Sequence, residues 1–422
     1  MRLRNATDPR SRSLRAFVTA TLACALAAAC SGDGSNGDAA DDPVGDDPAS
    51  DGPLYVISAS VSTGSELAAF GILVDSLDAS AEADLGTSIE ISNGGLFAGP
   101  PRGEVMYEID GATPQLTEFR LGSDGSFERG RTVSFLDFSV TTMRAIGGNF
   151  IFFSDTKAYA IDTFTQTIIQ WNPSEMVITG TIDLSEIGLP GEAALVGDLP
   201  LQRGEELVIA IHYLGLGSDG RTGFAPESAL VFLDPATDSV REVVTLEDCG
   251  TVGSMFLDDR GDLYAASEFA GITTRLVGDR GGPECFVRVP AGTYDVEDYT
   301  LLTDRTNGMF AGSMFQSEDT VAYFRVLDTS LLPDDALTTG EISGAEAWFW
   351  GLLDLADDEP IRILADLGAN AGSTRGYDID GVTWITESDE GFSSATLIDI
   401  SNGGFRRGVS VPGAVRNVFR VR

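Results

Sequence analysis

An all-β fold is predicted, a β-propeller of seven four-stranded blades closed by its own N- and C-terminal strands. Three observations predict it. The first is the stretch from Asn149 to Leu184. It reads Asn149-Phe-Ile-Phe-Phe, Lys157-Ala-Tyr-Ala-Ile-Asp162, Gln166-Thr-Ile-Ile-Gln-Trp171 and Met176-Val-Ile-Thr-Gly-Thr-Ile-Asp-Leu184. Short runs rich in β-branched and aromatic residues, separated by turn residues, are the pattern of consecutive antiparallel strands. The second is that weaker versions of this unit recur along the chain. The third is a strand left over at the end, Val415-Arg-Asn-Val-Phe-Arg-Val421. Paired with the first blade, it removes the two open sheet edges that otherwise invite aggregation.

The blades are assigned in order. Blade 1 takes Leu54–Ser60 and Ala68–Val74. Blade 2 takes Glu104–Asp110, Gln115–Leu121 and a strand near Phe127. Blade 3 is the stretch quoted above. Blade 4 takes Glu206–Tyr213, Ala229–Asp234 and Ser239–Val244. Blade 5 takes Met255–Asp258, Asp262–Ser267 and Cys285–Val289. Blade 6 takes Gly308–Gly312, Val321–Leu327 and Ala347–Trp350. Blade 7 takes Tyr377–Asp380, Val382–Thr386, Ala395–Asp399 and Phe405–Val411. Helical spacing of apolar residues appears only briefly, from Leu331 to Leu337, where Pro333 interrupts it. Two β-sandwich domains are the alternative. They would need a linker, and no Pro- or Ser-rich stretch follows residue 52. Loop lengths vary enough to leave six or eight blades open.

A local signature recurs at strand ends. An aliphatic residue followed by Asp appears as Ile109-Asp110, Ile161-Asp162, Leu233-Asp234, Leu327-Asp328 and Ile398-Asp399, with Thr or Ser within three residues each time. Asp at the start of a turn bonds the backbone two residues on. Calcium ligation is the sharper reading of these aspartates, but no multi-carboxylate loop of the right spacing accompanies them.

The start of the chain reads as an address. Residues 1–29 carry a basic leader (Arg2, Arg4, Arg10, Arg12, Arg15) and an apolar run of small residues ending Leu26-Ala-Ala-Ala-Cys30. That is the build of a secretory signal, too short to span a bilayer as a stable anchor. A cysteine directly after the small residues resembles the bacterial lipobox. The resemblance implies cleavage before Cys30 and lipidation of its thiol, although Ala27 stands where Leu is commonest. An ordinary signal cut near Ala29 is the alternative. Ser31 follows in place of the Asp that marks inner-membrane retention in enteric bacteria, which points to the outer membrane, on its periplasmic face or its surface. Residues 30–52 then form an acidic tether with one Val and no aromatic side chain. Such a segment cannot offset the entropy of ordering, and its mean reach is roughly 25–30 Å. Residues 53–422 are the propeller domain.

Charge excludes some partners. The chain has 27 Lys and Arg against 65 Asp and Glu, a net charge of −38. Losing residues 1–29 removes five Arg and one Asp and leaves a net of −42. Such a surface repels nucleic acid and anionic headgroups and keeps the protein soluble. The expected partners are the membrane, through the lipid, and a small ligand or an envelope protein; a monomer is expected, and no nucleic acid.

Motifs for chemistry are few. A single histidine, His212, excludes a multi-histidine zinc or iron site. It lies in the apolar run Leu207–Tyr213, which suits a partly buried structural role, with a channel-facing binding role as the alternative. No nucleophile-elbow pattern and no phosphate loop occurs. Acidic pairs such as Asp258-Asp259 read as solvated loops. No catalytic residue, resident metal or cofactor is assigned, and Ca²⁺ alone is left open. Trp348 and Trp350 share one face of a strand, which suits packing between blades or a stacking surface for a ligand. Arg375 precedes the first strand of blade 7, where an arginine in so acidic a molecule clamps an anionic ligand or offsets a carboxylate. Cys249 and Cys285 lie 36 residues apart in a compartment that permits disulfides. They form a bridge or remain two buried thiols.

The run Tyr55-Val-Ile-Ser-Ala-Ser-Val-Ser-Thr-Gly-Ser65, with Leu73-Val-Asp-Ser-Leu77 after it, resembles a group of bacterial lipoproteins of propeller type. Some of these, as at the myxochelin locus, are encoded beside siderophore genes. The likeness runs loosely to about Leu184, and beyond that only the blade rhythm matches. It implies a binding or interaction role at the cell envelope, in siderophore or iron handling. A metal-dependent, lactonase-like hydrolase with its site in the channel is the alternative.

Overall fold

The computed structural model describes residues 52–422 apart from short internal segments, the longest being 141–149. The leader, Cys30 and most of the tether lie outside the described residues. Seven antiparallel sheets follow one another along the chain and close into a ring. The strand Ala414–Arg420 completes blade 1 by pairing with Tyr55–Thr63, so that Tyr55 faces Arg420 and Ile57 faces Val418. Beyond it, the Val421 N–H donates to the Leu54 carbonyl at 2.8 Å. This last strand is the innermost of blade 1 and lies against the first strands of blade 2 (Leu96–Gly99) and blade 7 (Gly376–Ile379). The closure expected from the leftover strand is therefore the one observed.

Blade 3 follows the predicted bounds closely, as Phe150–Ser154, Lys157–Asp162, Thr167–Asn172 and Val177–Asp183. The strands that sequence reasoning missed are short. They are Ile89–Ile91 at the outside of blade 1, Leu96–Gly99 at the inside of blade 2, and Asp298–Leu301 and Arg362–Ile363 at the outside of blades 5 and 6. In blade 4 the inner position is split between Ala193–Val196 and Leu201–Arg203, both paired with the long strand Glu206–Leu216. None of these exceeds four residues, too few to show an alternation.

Alternation builds the walls between blades. Side chains of a strand point to opposite faces, and each face of a blade meets a neighbouring blade. Ala158 and Ala160 enter the core shared with blade 2, while Tyr159 and Ile161 enter the core shared with blade 4. Both faces are apolar, so middle strands read as continuous hydrophobic runs. Each of the seven walls has its own cluster of buried residues.

The aliphatic–Asp signature forms Asx-turns. The Oδ1 atoms of Asp110, Asp234, Asp328 and Asp399 accept the backbone N–H two residues on, at 2.8, 2.8, 2.9 and 2.9 Å. Gly413 makes the turn into the closing strand. Its φ is 81°, and a Cβ there would lie 2.1 Å from the Ser60 carbonyl oxygen, so only glycine fits.

Helix was underestimated at one place. The connection between the second and third strands of blade 5 holds α1, Phe269–Val277. The equivalent connection of blade 6 holds α2, Thr339–Gly344, which begins with a capping box between Thr338 and Glu341. The two helices pack together over Ile272, Ile342, Leu327 and Trp348. They form an eighth cluster, a cap on one end of the ring. No helix among the described residues is long and apolar enough to cross a membrane.

Candidate functional site

The end of the ring opposite the helical cap carries the turns between first and second strands. There, at the boundary of blades 5 and 6, lies a groove of about 920 Å³. Arg260, Arg288 and Arg305 line it beside Asp258, Asp298 and Tyr299. The turn Asp258–Asp262 shapes one wall. Asp258 Oδ1 accepts the N–H groups of Arg260 and Asp262 at 3.0 and 2.9 Å, which locks the turn. Its other oxygen pairs with the Arg260 guanidinium at 2.7 Å. The expectation of a solvated Asp258 is thereby corrected: its side chain is only 6% exposed, because the turn uses it as an internal acceptor. Tyr264 stands behind the wall in a stack with Phe256 and Phe286, ring centres 5.0 and 5.6 Å apart.

Asp262 ties this turn to the third strand of the same blade. It is buried, accepts the Ala291 N–H at 2.9 Å and pairs with Arg288 at 2.9 Å, while Arg288 also reaches Asp298 at 2.9 Å. Burial works to raise the Asp262 pKa, but the Ala291 N–H and the Arg288 guanidinium outweigh it and hold the carboxyl below its usual value. A carboxyl lowered in this way stabilises the fold fully above its unfolded pKa, and that stability is lost as pH falls through the folded value. Wild-type protein is expected to lose stability as pH drops below about 4. Asp262→Asn starts less stable at neutral pH and shows a shallower fall, measured by urea unfolding between about pH 3 and 7.

The predicted site residues do not gather here. His212 is 8% exposed, its Nδ1 lies 3.3 Å from the Val252 carbonyl, and its ring meets the Phe224 ring edge-on. It fastens blade 4 to blade 5. Trp348 and Trp350 are 0% and 1% exposed, so neither offers a stacking face to a ligand from solution. Trp348 is sealed under the helical cap, where its Nε1 donates to the Ile342 carbonyl at 2.8 Å. Trp350 lies in the wall between blades 6 and 7, edge-on to Phe315. Arg375 falls outside the described residues. Cys249 and Cys285 are bridged, with Cα atoms 5.3 Å apart, and both are fully buried. Among the described residues, no group of three or more His, Cys, Asp or Glu is placed to hold a metal ion.

The groove residues were missed because they come from five separate segments. The one local signal was the turn Asp259-Arg-Gly261, whose arginine points back along its own acidic loop.

Comparison with solved structures places the fold. The periplasmic gluconolactonase of Pseudomonas aeruginosa aligns with a TM-score of 0.51 at 11% identity, over 87% of this chain and 99% of that one. A candidate 6-phosphogluconolactonase from Bacteroides uniformis aligns at 0.50 and 11%, over 88% and 100%. A Lactobacillus plantarum protein aligns at 0.51 and 9%, over 88% and 99%. At such identities the likeness is one of fold, the seven-bladed propeller. No family model matches the chain, and no curated protein matches it by sequence.

Proposed function

We propose that the protein is an envelope-anchored lipoprotein whose propeller acts as a binding module for a small, oxygen-rich polar ligand. The groove between blades 5 and 6 carries this reading. At about 920 Å³ it is large enough for such a ligand. It offers guanidinium donors, carboxylate acceptors and the half-exposed ring of Tyr299. Guanidinium groups pair with the oxygens of anionic chelators, and tyrosine lends a flat contact area. Ferric siderophores are the first class to try, from the resemblance of the Tyr55–Ser65 run to siderophore-locus lipoproteins. Lipidation at Cys30 and transfer to the outer membrane belong to the same reading.

A lactonase-like hydrolase is the second reading, supported by the shared fold with an exported gluconolactonase. One experiment separates them. The mature chain is titrated calorimetrically with ferric siderophores and assayed for metal content and lactone hydrolysis. Saturable siderophore binding that falls at least about tenfold in Tyr299→Ala supports the binding module. Stoichiometric metal with lactone turnover, and no saturable siderophore binding, replaces it with the hydrolase.

A further inference from the structure

Three buried donors without an acceptor fall in one place. Arg325 stands on the second strand of blade 6, with Trp350 opposite it on the third. Its side chain is 0% exposed, and its guanidinium carbon lies 4.3 Å from the centre of the Trp350 ring. Its Nη2 donates to Asn370 Oδ1 and, at 2.6 Å, to the Ala371 carbonyl. The Nε and Nη1 of Arg325 and the Nε1 of Trp350 are buried with no acceptor among the described residues. The surrounding wall is built of Tyr323, Leu364, Ile385, Ile398 and Ile400. Burial pushes the Arg325 pKa down to about 9, so the cation persists at neutral pH.

The other buried arginine shows what the fold does when its own atoms suffice. Arg203 is 8% exposed, and its three nitrogens donate to the carbonyls of Gly261, Thr293 and Pro290. Arg325 has no such set. A buried guanidinium with open N–H groups is among the most costly arrangements in a protein interior, unless something negative sits beside it. The open groups here are donors only, so the missing partner is an acceptor.

We propose that the wall between blades 6 and 7 holds a small inorganic anion of halide size against Arg325 and Trp350. The ion neutralises a cation that has no carboxylate partner among the described residues, and it is held as the two blades close on each other. The site is separate from the groove between blades 5 and 6.

The test uses the full mature chain, melted in sodium chloride, bromide or gluconate at equal ionic strength. Halide is expected to raise the melting temperature by about 3 °C at a hundredfold excess over its dissociation constant. Trp350→Phe keeps the ring against Arg325 but loses the Nε1 donor, and it is expected to shrink that shift. Arg325→Met removes it. Should Arg325→Met fail to fold, crystals of the wild-type protein grown in bromide decide the matter. An anomalous bromine peak within hydrogen-bond reach of the Arg325 guanidinium supports the site. Equal melting in bromide and gluconate overturns the proposal, as does an ordered water in place of the peak. A halide shift that persists in Arg325→Met also overturns it, because the ion then acts elsewhere.

Discussion

Deleting the chain from Ala414 onward is expected to abolish cooperative folding. The closing strand is the innermost of blade 1 and touches both neighbouring blades. Val418 packs into the wall with blade 7 and Val421 into the wall with blade 2, at 4% and 3% exposure. Burial of two such side chains stabilises by about 3–6 kcal/mol, against a total of about 5–15 kcal/mol for a whole domain. Truncation also bares the edge of Tyr55–Thr63 and opens the ring, which invites pairing with other chains. The expected product elutes from gel filtration as aggregate and shows no single thermal transition by circular dichroism. A monomeric truncated chain that melts in one step near the full-length temperature would show that the ring does not depend on this strand.

Trp171→Ala is expected to cost about 3–5 kcal/mol, the range for emptying a large aromatic site in a core. Trp171 is fully buried between blades 2 and 3. Tyr107, Phe152 and Phe150 surround it at ring distances of 5.4, 5.6 and 6.3 Å, all three in edge-on geometry. Aromatic pairs of this kind add to plain area burial. The indole Nε1 has no acceptor among the described residues, so Trp171→Phe gives up little hydrogen bonding and is expected to cost less than about 1.5 kcal/mol. Urea unfolding of both variants checks the contrast. A Trp171→Ala cost below about 1 kcal/mol would mean that this cluster does not hold the two blades together.

Much of the fold was readable in the chain because its signals are local. Blade 3 carries strands of five to seven residues, each long enough to show its pattern, and their bounds came out nearly as predicted. The Asx-turn aspartates were readable for the same reason, since donor and acceptor stand two residues apart. The helix α1 was not. It covers one wall of a cap, and its apolar positions make sense only beside Trp348 and Ile342, which come about seventy residues later. Trp348 and Trp350 invited a ligand reading because alternation puts them on one face. Alternation does not reveal what lies over that face, and here it is the cap for one and blade 7 for the other.

By itself the amino-acid order determined the strand rhythm, the propeller architecture, the spare strand that seals the circle, and the acidic surface; the count of seven blades was settled by the tertiary structure. The features that the order determined follow from side-chain periodicity, turn chemistry and charge, which act over a few neighbouring positions or over the whole composition. Tertiary structure alone also decided which polar groups meet. Arg288 finds Asp262 across the second and third strands of blade 5, and Arg325 ends in an apolar wall with donors to spare. Contacts between residues far apart in the chain depend on how blades abut. That is set by the fit of whole surfaces, and no single segment encodes it.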